Sequence, residues 1–139
     1  MDYTKDIREI SDEQAVILWQ ASRLSLSEKY EKAPEILSVK GSVIGTLGNF
    51  SASIGKAKSK KTFNVSAITA AALINGTVLH YRACFPEDKR KILYIDTEQG
   101  KNHCQIVLNR ILRLAGLPKD SNADNLKMLA LRKYSPEIR

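Results

Sequence analysis

Apolar positions along this chain recur in two periods, and the change of period marks its elements. Between Ser11 and Ala33 they follow helical spacing, with Ala15, Val16, Leu18 and Trp19 in the first turns. Two capping boxes, Ser11-Asp12-Glu13-Gln14 and Ser25-Leu26-Ser27-Glu28, supply acceptors for the unpaired amides of a helix start. Residues 11–33 therefore predict helix, with Trp19 as a core residue and Pro34 as the stop. Glu35–Val39 and Val43–Leu47 predict strands of a hairpin that turns at Lys40-Gly41-Ser42. Phe50-Ser51-Ala52-Ser53-Ile54 alternates as a strand does. Phe63–Asn75 reads as a buried helix closed by Gly76, and Thr77–Tyr81 as a short extended piece. The polar stretch Phe85–Lys91 predicts a surface loop. Ile92-Leu93-Tyr94-Ile95-Asp96 is a continuous apolar run, the pattern of a strand covered on both faces. His103–Ala115 predicts a helix with Ile106, Val107, Ile111 and Leu114 as its stripe, ended by Gly116 and Pro118. Leu126–Leu131 is a further strand candidate.

The order strand, loop, helix, strand, helix, strand predicts an α/β fold with crossover helices on a parallel sheet. Ligands of such sheets sit beyond the carboxyl ends of the strands. Both the segment after Ile54 and the segment Thr97-Glu98-Gln99 leave strands at that edge, so one site can use both.

Composition narrows the class. The chain has 139 residues, 43% hydrophobic and 27% charged, as an ordinary globular domain does. No apolar run reaches the roughly 18 residues of a membrane span. Met1–Asp6 lacks the basic and then apolar signature of a signal peptide. Two cysteines, Cys84 and Cys104, do not make a disulfide framework, and a reducing cytoplasm is the expectation. The net charge of +7 favours polyanionic partners. His80, Cys84, His103 and Cys104 lack the spacing of a strong zinc site.

The densest chemistry lies in Gly55-Lys56-Ala57-Lys58-Ser59-Lys60-Lys61-Thr62. Its length matches the phosphate-loop pattern G-x-x-x-x-G-K-[ST], with Lys60 in place of the second Gly. A strand before and a helix after would aim backbone N–H groups and a helix N-terminus at an anion. The plain alternatives are a lysine-rich surface turn, and ordinary strand-end acids at Asp96 and Glu98.

Three segments carry a resemblance to a known family: Ile44–Phe50, Gly55–Phe63 and Ile92–Gln99. In order and spacing they resemble the N-terminal part of RecA-like P-loop ATPases, of the RepA and replicative-helicase kind encoded by plasmids and mobilizable transposons, the TnpC type included. The resemblance implies a three-layer α/β/α core with a mostly parallel sheet over residues 35–139, truncated at its C-terminus, after an N-terminal helical extension over 1–34. It implies ATP and Mg2+ as cofactors. Gly55, Lys56, Lys58, Ser59, Lys60, Lys61, Thr62 and Phe63 would line the nucleotide, with Lys61 on the β/γ-phosphates. Thr62, and with it Asp96, would serve Mg2+. Glu98 would orient or deprotonate the attacking water.

The chain departs from that family at Lys60, and nothing after Asp96 reads as a separate Walker B strand. Lys133–Arg139 reads as a loop entering another helix. The expectation is thus the ATP-binding part of a mobile-element ATPase that couples Mg-ATP hydrolysis to DNA mobilisation or replication, with weak or no turnover in this chain alone. The rival is a non-enzymatic nucleic-acid-binding module with a degenerate phosphate loop. A remnant that binds neither is a third reading. An incomplete sheet exposes an edge, so a homo-oligomer is compatible with all three.

Overall fold

The computed structural model describes residues 10–56, 60–118 and 123–137. The chain divides into two compact units, Met1–Lys32 and Ala33–Arg139. The first contains helix α1, Asp12–Ser22. Its capping box forms as the sequence implies: the Ser11 hydroxyl accepts from the Gln14 amide at 3.3 Å, and the Gln14 side chain accepts from the Ser11 amide at 3.2 Å. The helix is half the expected length. The second capping box makes only a turn, in which Ser25 Oγ meets Ser27 Oγ and the Tyr30 hydroxyl accepts from the Ser25 amide. Local side-chain bonds of this kind compete with helix where no apolar face is buried. No residue of α1 is buried. Trp19 is not a core residue: it is 62% exposed, with the Arg23 guanidinium 5.4 Å from its ring centre.

The second unit is mixed α/β. Strands β1, Glu35–Val39, and β2, Ser42–Thr46, form the expected hairpin. Its two-residue turn puts Lys40 at φ 47° and Gly41 at φ 83°, the conformation that matches the twist of the flanking strands and favours Gly. Helix α2, Lys61–Ile74, precedes a second hairpin, β3, Thr77–Val78, and β4, Tyr81–Ala83. These strands form one antiparallel sheet in the order β2-β1-β4-β3. A parallel unit follows: β5, Ile92–Asp96, helix α3, Lys101–Leu114, and β6, Leu126–Ala130. Strands β5 and β6 pair in parallel from Ile92↔Leu126 to Asp96↔Ala130.

The α/β class is as expected, in coarser form: the described strands make a four-stranded antiparallel sheet and a two-stranded parallel one, which do not match a single mostly parallel sheet. One expectation is corrected. Residues 50–54 are not a strand, and Phe50 and Ile54 are 98% and 92% exposed. A strand needs a partner for its backbone groups; β5 and β6 pair only with each other among the described residues.

Helix α2 is the hub. It touches β3 and β4 on one side and α3 and β5 on another. Ala67, Ala70 and Ala71 are fully buried, and such small side chains let neighbouring backbones approach. Its buried hydroxyls are satisfied within the helix, Ser66 to the Thr62 carbonyl at 2.7 Å and Thr69 to the Val65 carbonyl at 2.8 Å. The helix ends at Asn75, not Gly76: Asn75 takes the left-handed conformation, and its side chain both accepts from the Phe85 amide at 2.6 Å and donates to the Phe85 carbonyl at 3.3 Å. Asn125 adds a second staple by donating to the Leu73 carbonyl at 3.3 Å.

Helix α3 faces the core with Cys104, Val107, Ile111 and Leu112. Ile106, expected in the apolar stripe, points outward at 49% exposure. The Leu117 amide donates to the Leu112 carbonyl across Gly116 at φ 70°, which closes the helix where the sequence places its stop. Burial pushes the Cys104 thiol pKa up, and the nearby Asp96 carboxylate adds to the shift. Cys84 is exposed. A thiol reagent added at neutral pH is expected to label Cys84 in the native protein at least tenfold faster than Cys104, with the difference erased in denaturant, because the thiolate is the reacting form. Mass spectrometry of the labelled peptides checks this.

No helix among the described residues is long and apolar enough to cross a membrane.

Candidate functional site

The loop-to-helix junction is built from backbone. Gly55 and Lys56 are exposed; Lys58 and Ser59, both expected at the phosphates, lie outside the described residues. Lys60 adopts φ 61° and ψ 19° as the residue before α2. This is the left-handed conformation that Gly accepts at little cost, at the position where the phosphate-loop pattern has Gly. Its side chain is exposed. Helical hydrogen bonding begins at Phe63 and Asn64, whose amides both donate to the Lys60 carbonyl. The amides of Lys61 and Thr62 precede that ladder and point out of the helix start. The Lys60 side chain does not cap this terminus.

The half-buried Lys61 donates from Nζ to the Gly55 carbonyl, which ties the first residue of the motif to its lysine. Half-buried Thr62 follows, with its hydroxyl unengaged among the described residues, and exposed Phe63 completes the turn. The junction thus offers amides unpaired among the described residues, an ammonium head and a hydroxyl at one helix end. Such a set suits an anion with several oxygens.

The strained residue supplies a check. A non-Gly residue in the left-handed region costs about 1–2 kcal/mol, and the added freedom of Gly in the unfolded chain offsets about half of that. Lys60→Gly is therefore expected to raise the melting temperature by about 2–6 °C. Lys60→Val, β-branched, is expected to lower it. Thermal unfolding followed by circular dichroism reads both.

The second cluster lies past β5. Asp96 Oδ1 accepts from the amides of Glu98 at 2.9 Å and Gln99 at 2.8 Å. This turn sets Glu98 outward, exposed to solvent, while Gln99 Oε1 is buried without a partner among the described residues. Asp96 is thus first a positioning residue. The same carboxylate and burial together raise the pKa of Tyr94, with burial the larger cause. Past the carboxyl ends of β5 and β6 lies an open hollow of about 360 Å³ lined by Gln99, Gly100, Lys101, Ala130, Arg132 and Lys133. The sequence reading did not single out Lys101, Arg132 or Lys133. The signal available was that two parallel strands end there, each followed by a basic residue within a few positions.

Among the described residues no hydrogen bond or ion pair joins the Lys61 cluster to the Asp96–Gln99 cluster. Each motif is assembled by itself. Mg2+ takes one or two carboxylates and completes its shell with phosphate oxygens and water. Asp96 keeps its second oxygen for such a role, and Thr62 its hydroxyl. No group of three or more His, Cys, Asp or Glu side chains gathers among the described residues. The described acids form no cage that holds the ion by itself; a magnesium ion here would arrive on phosphates, with the Thr62 hydroxyl and the Asp96 carboxylate as the groups offered to it.

Comparison with known families matched no family model, and neither the curated proteins nor the solved structures gave a significant match.

Proposed function

We propose that the Gly55–Thr62 loop and the α2 N-terminus bind the phosphates of Mg-ATP, and that the chain is the nucleotide-binding part of a RecA-like ATPase of a mobile element. In this reading ATP hydrolysis drives DNA mobilisation or replication. The observation that carries the proposal is the junction itself: a left-handed residue at the motif's second glycine position, two amides unpaired among the described residues, and Lys61 folded back on Gly55. Lys61 then supplies the point charge for the terminal phosphates, and Thr62 a hydroxyl for the ion. Glu98, turned outward by Asp96, is the group that holds or takes a proton from water. Mg2+ when bound supplies charge neutralisation between phosphates. Calorimetric titration of the chain with Mg-ATP, ADP and inorganic phosphate tests the assignment. Saturable heat with the triphosphate that requires Mg2+ supports it; no heat at millimolar nucleotide with a folded protein overturns it.

The second reading rests on the exposed lysines Lys56 and Lys60 and the net charge of +7. In it the same junction contacts nucleic-acid phosphate without turnover. Affinity for a DNA oligonucleotide that falls linearly in log–log with salt, and does not respond to nucleotide, favours this module over the ATPase.

A further inference from the structure

We propose that the edge of β5 left unpaired among the described residues is a self-association site, at which two copies of this chain pair their β5 strands antiparallel about a two-fold axis beside Tyr94. The parallel pair β5–β6 packs one face on the core through Ile92, Tyr94, Leu126 and Met128. On the other face Leu93, Ile95 and Leu129 are 60%, 51% and 42% exposed. Parallel sheets are normally covered on both faces.

The backbone fixes the register. The Ile92 amide donates to the Asn125 carbonyl, and the Leu131 amide donates to the Asp96 carbonyl. Main-chain groups of residues 92, 94 and 96 therefore aim at β6, and those of Leu93 and Ile95 aim at the opposite edge. An antiparallel partner centred on Tyr94 sets Leu93 opposite Ile95 of the second copy, and Ile95 opposite its Leu93. Both are pairs that exchange two hydrogen bonds, and both join exposed apolar side chains on the same face. A slip by one residue would oppose inward with outward side chains.

Charge selects the orientation and the strand. Arg90 and Lys91 precede β5, while Asp96 and Glu98 end and follow it. Antiparallel pairing brings the basic residues before one strand toward the acidic end of the other, although Arg90, at φ -92° and ψ 6°, and Glu98, in the turn past Asp96, lie outside the strand ladder itself. Arg90 uses Nε on the Phe85 carbonyl at 3.2 Å, which leaves its terminal nitrogens for a carboxylate. A parallel pairing would oppose like with like. The β6 edge carries the exposed Lys127 in mid-strand, a charge that disfavours edge pairing; β5 has no charge between Lys91 and Asp96. Self-complementarity of this kind is what a two-fold interface requires.

Sedimentation velocity over a concentration series at low salt tests the proposal. The parent chain is expected to show a reversible monomer–dimer equilibrium below about 1 mM, weak as befits a small interface. Ile95→Lys is expected to weaken it at least tenfold. Arg90→Glu is expected to weaken it severalfold, and Arg90→Glu combined with Glu98→Arg to restore it. Leu129→Lys, on the same face but on β6, is expected to change it less than threefold. A parent that stays monomeric at about 1 mM overturns the proposal. So does a loss in Leu129→Lys equal to that in Ile95→Lys, which would mean stacking of faces and not pairing of edges. Were Ile95→Lys to lose its fold by circular dichroism, the charge-swap pair decides alone.

Discussion

With the junction binding Mg-ATP as proposed, replacing Lys61 by Ala is expected to lower that affinity by about tenfold to a hundredfold. A hydrogen bond to a charged group contributes about 1.5–3 kcal/mol, and each 1.4 kcal/mol is tenfold in affinity. Lys61 has two parts to lose. Its ammonium is the charge at the helix start, and its bond to the Gly55 carbonyl holds the loop closed. Lys61→Met removes charge and donor together but keeps much of the apolar stem, and so separates both from packing. If Ala and Met variants lose affinity equally, the charge and its bonds carry the effect. If Met retains parental affinity, Lys61 serves as packing and the phosphate role fails. Calorimetry of the three proteins, each confirmed folded, gives the answer.

Ile111→Ala is expected to cost about 2–5 kcal/mol, the range for truncating a buried aliphatic side chain. Ile111 is 0% exposed and belongs to the cluster that joins α2, α3, β3, β4 and β6. At about 4–8 °C per kcal/mol for a domain of this size, the melting temperature falls by about 10 °C or more. Ile106→Ala supplies the contrast on the same helix. Ile106 is half exposed, and its loss is expected to shift the midpoint by no more than a few degrees. Equal effects at the two positions would contradict the facing of α3 described above. Thermal or urea unfolding measures both.

Much of the local structure was legible because it is written in short-range chemistry. The hairpin at Lys40-Gly41, the stop at Gly116 and the first capping box at Ser11 depend on residues near in sequence; β5, α3 and β6 each carry their own pattern, although the two strands pair across the length of the helix. The misses depend on partners that sequence periodicity does not name. Phe50–Ile54 alternates like a strand but has no strand beside it. Trp19 reads as core from spacing alone, yet α1 buries nothing. The terminator of α2 was assigned to Gly76, where the left-handed residue is Asn75; the deciding bonds run to Phe85, ten positions away. At the candidate site the motif lysine and Asp96 were visible, but the use of the Asp96 carboxylate on its own turn was not.

The two asparagine staples have a consequence for motion. Asn75 and Asn125 both fasten the C-terminal end of α2, through Phe85 and Leu73, where Ala70–Leu73 are also buried. The other end begins with exposed or half-buried residues from Lys60 to Asn64 and has no cap from the Lys60 side chain. Local opening takes the weakest held end first. Amide hydrogen exchange along α2 should therefore run as a gradient, slowest near Ala71–Leu73 and fastest toward Asn64. The helix is anchored like a lever at its far end, so that what binds at the near end also decides how much of it stays wound.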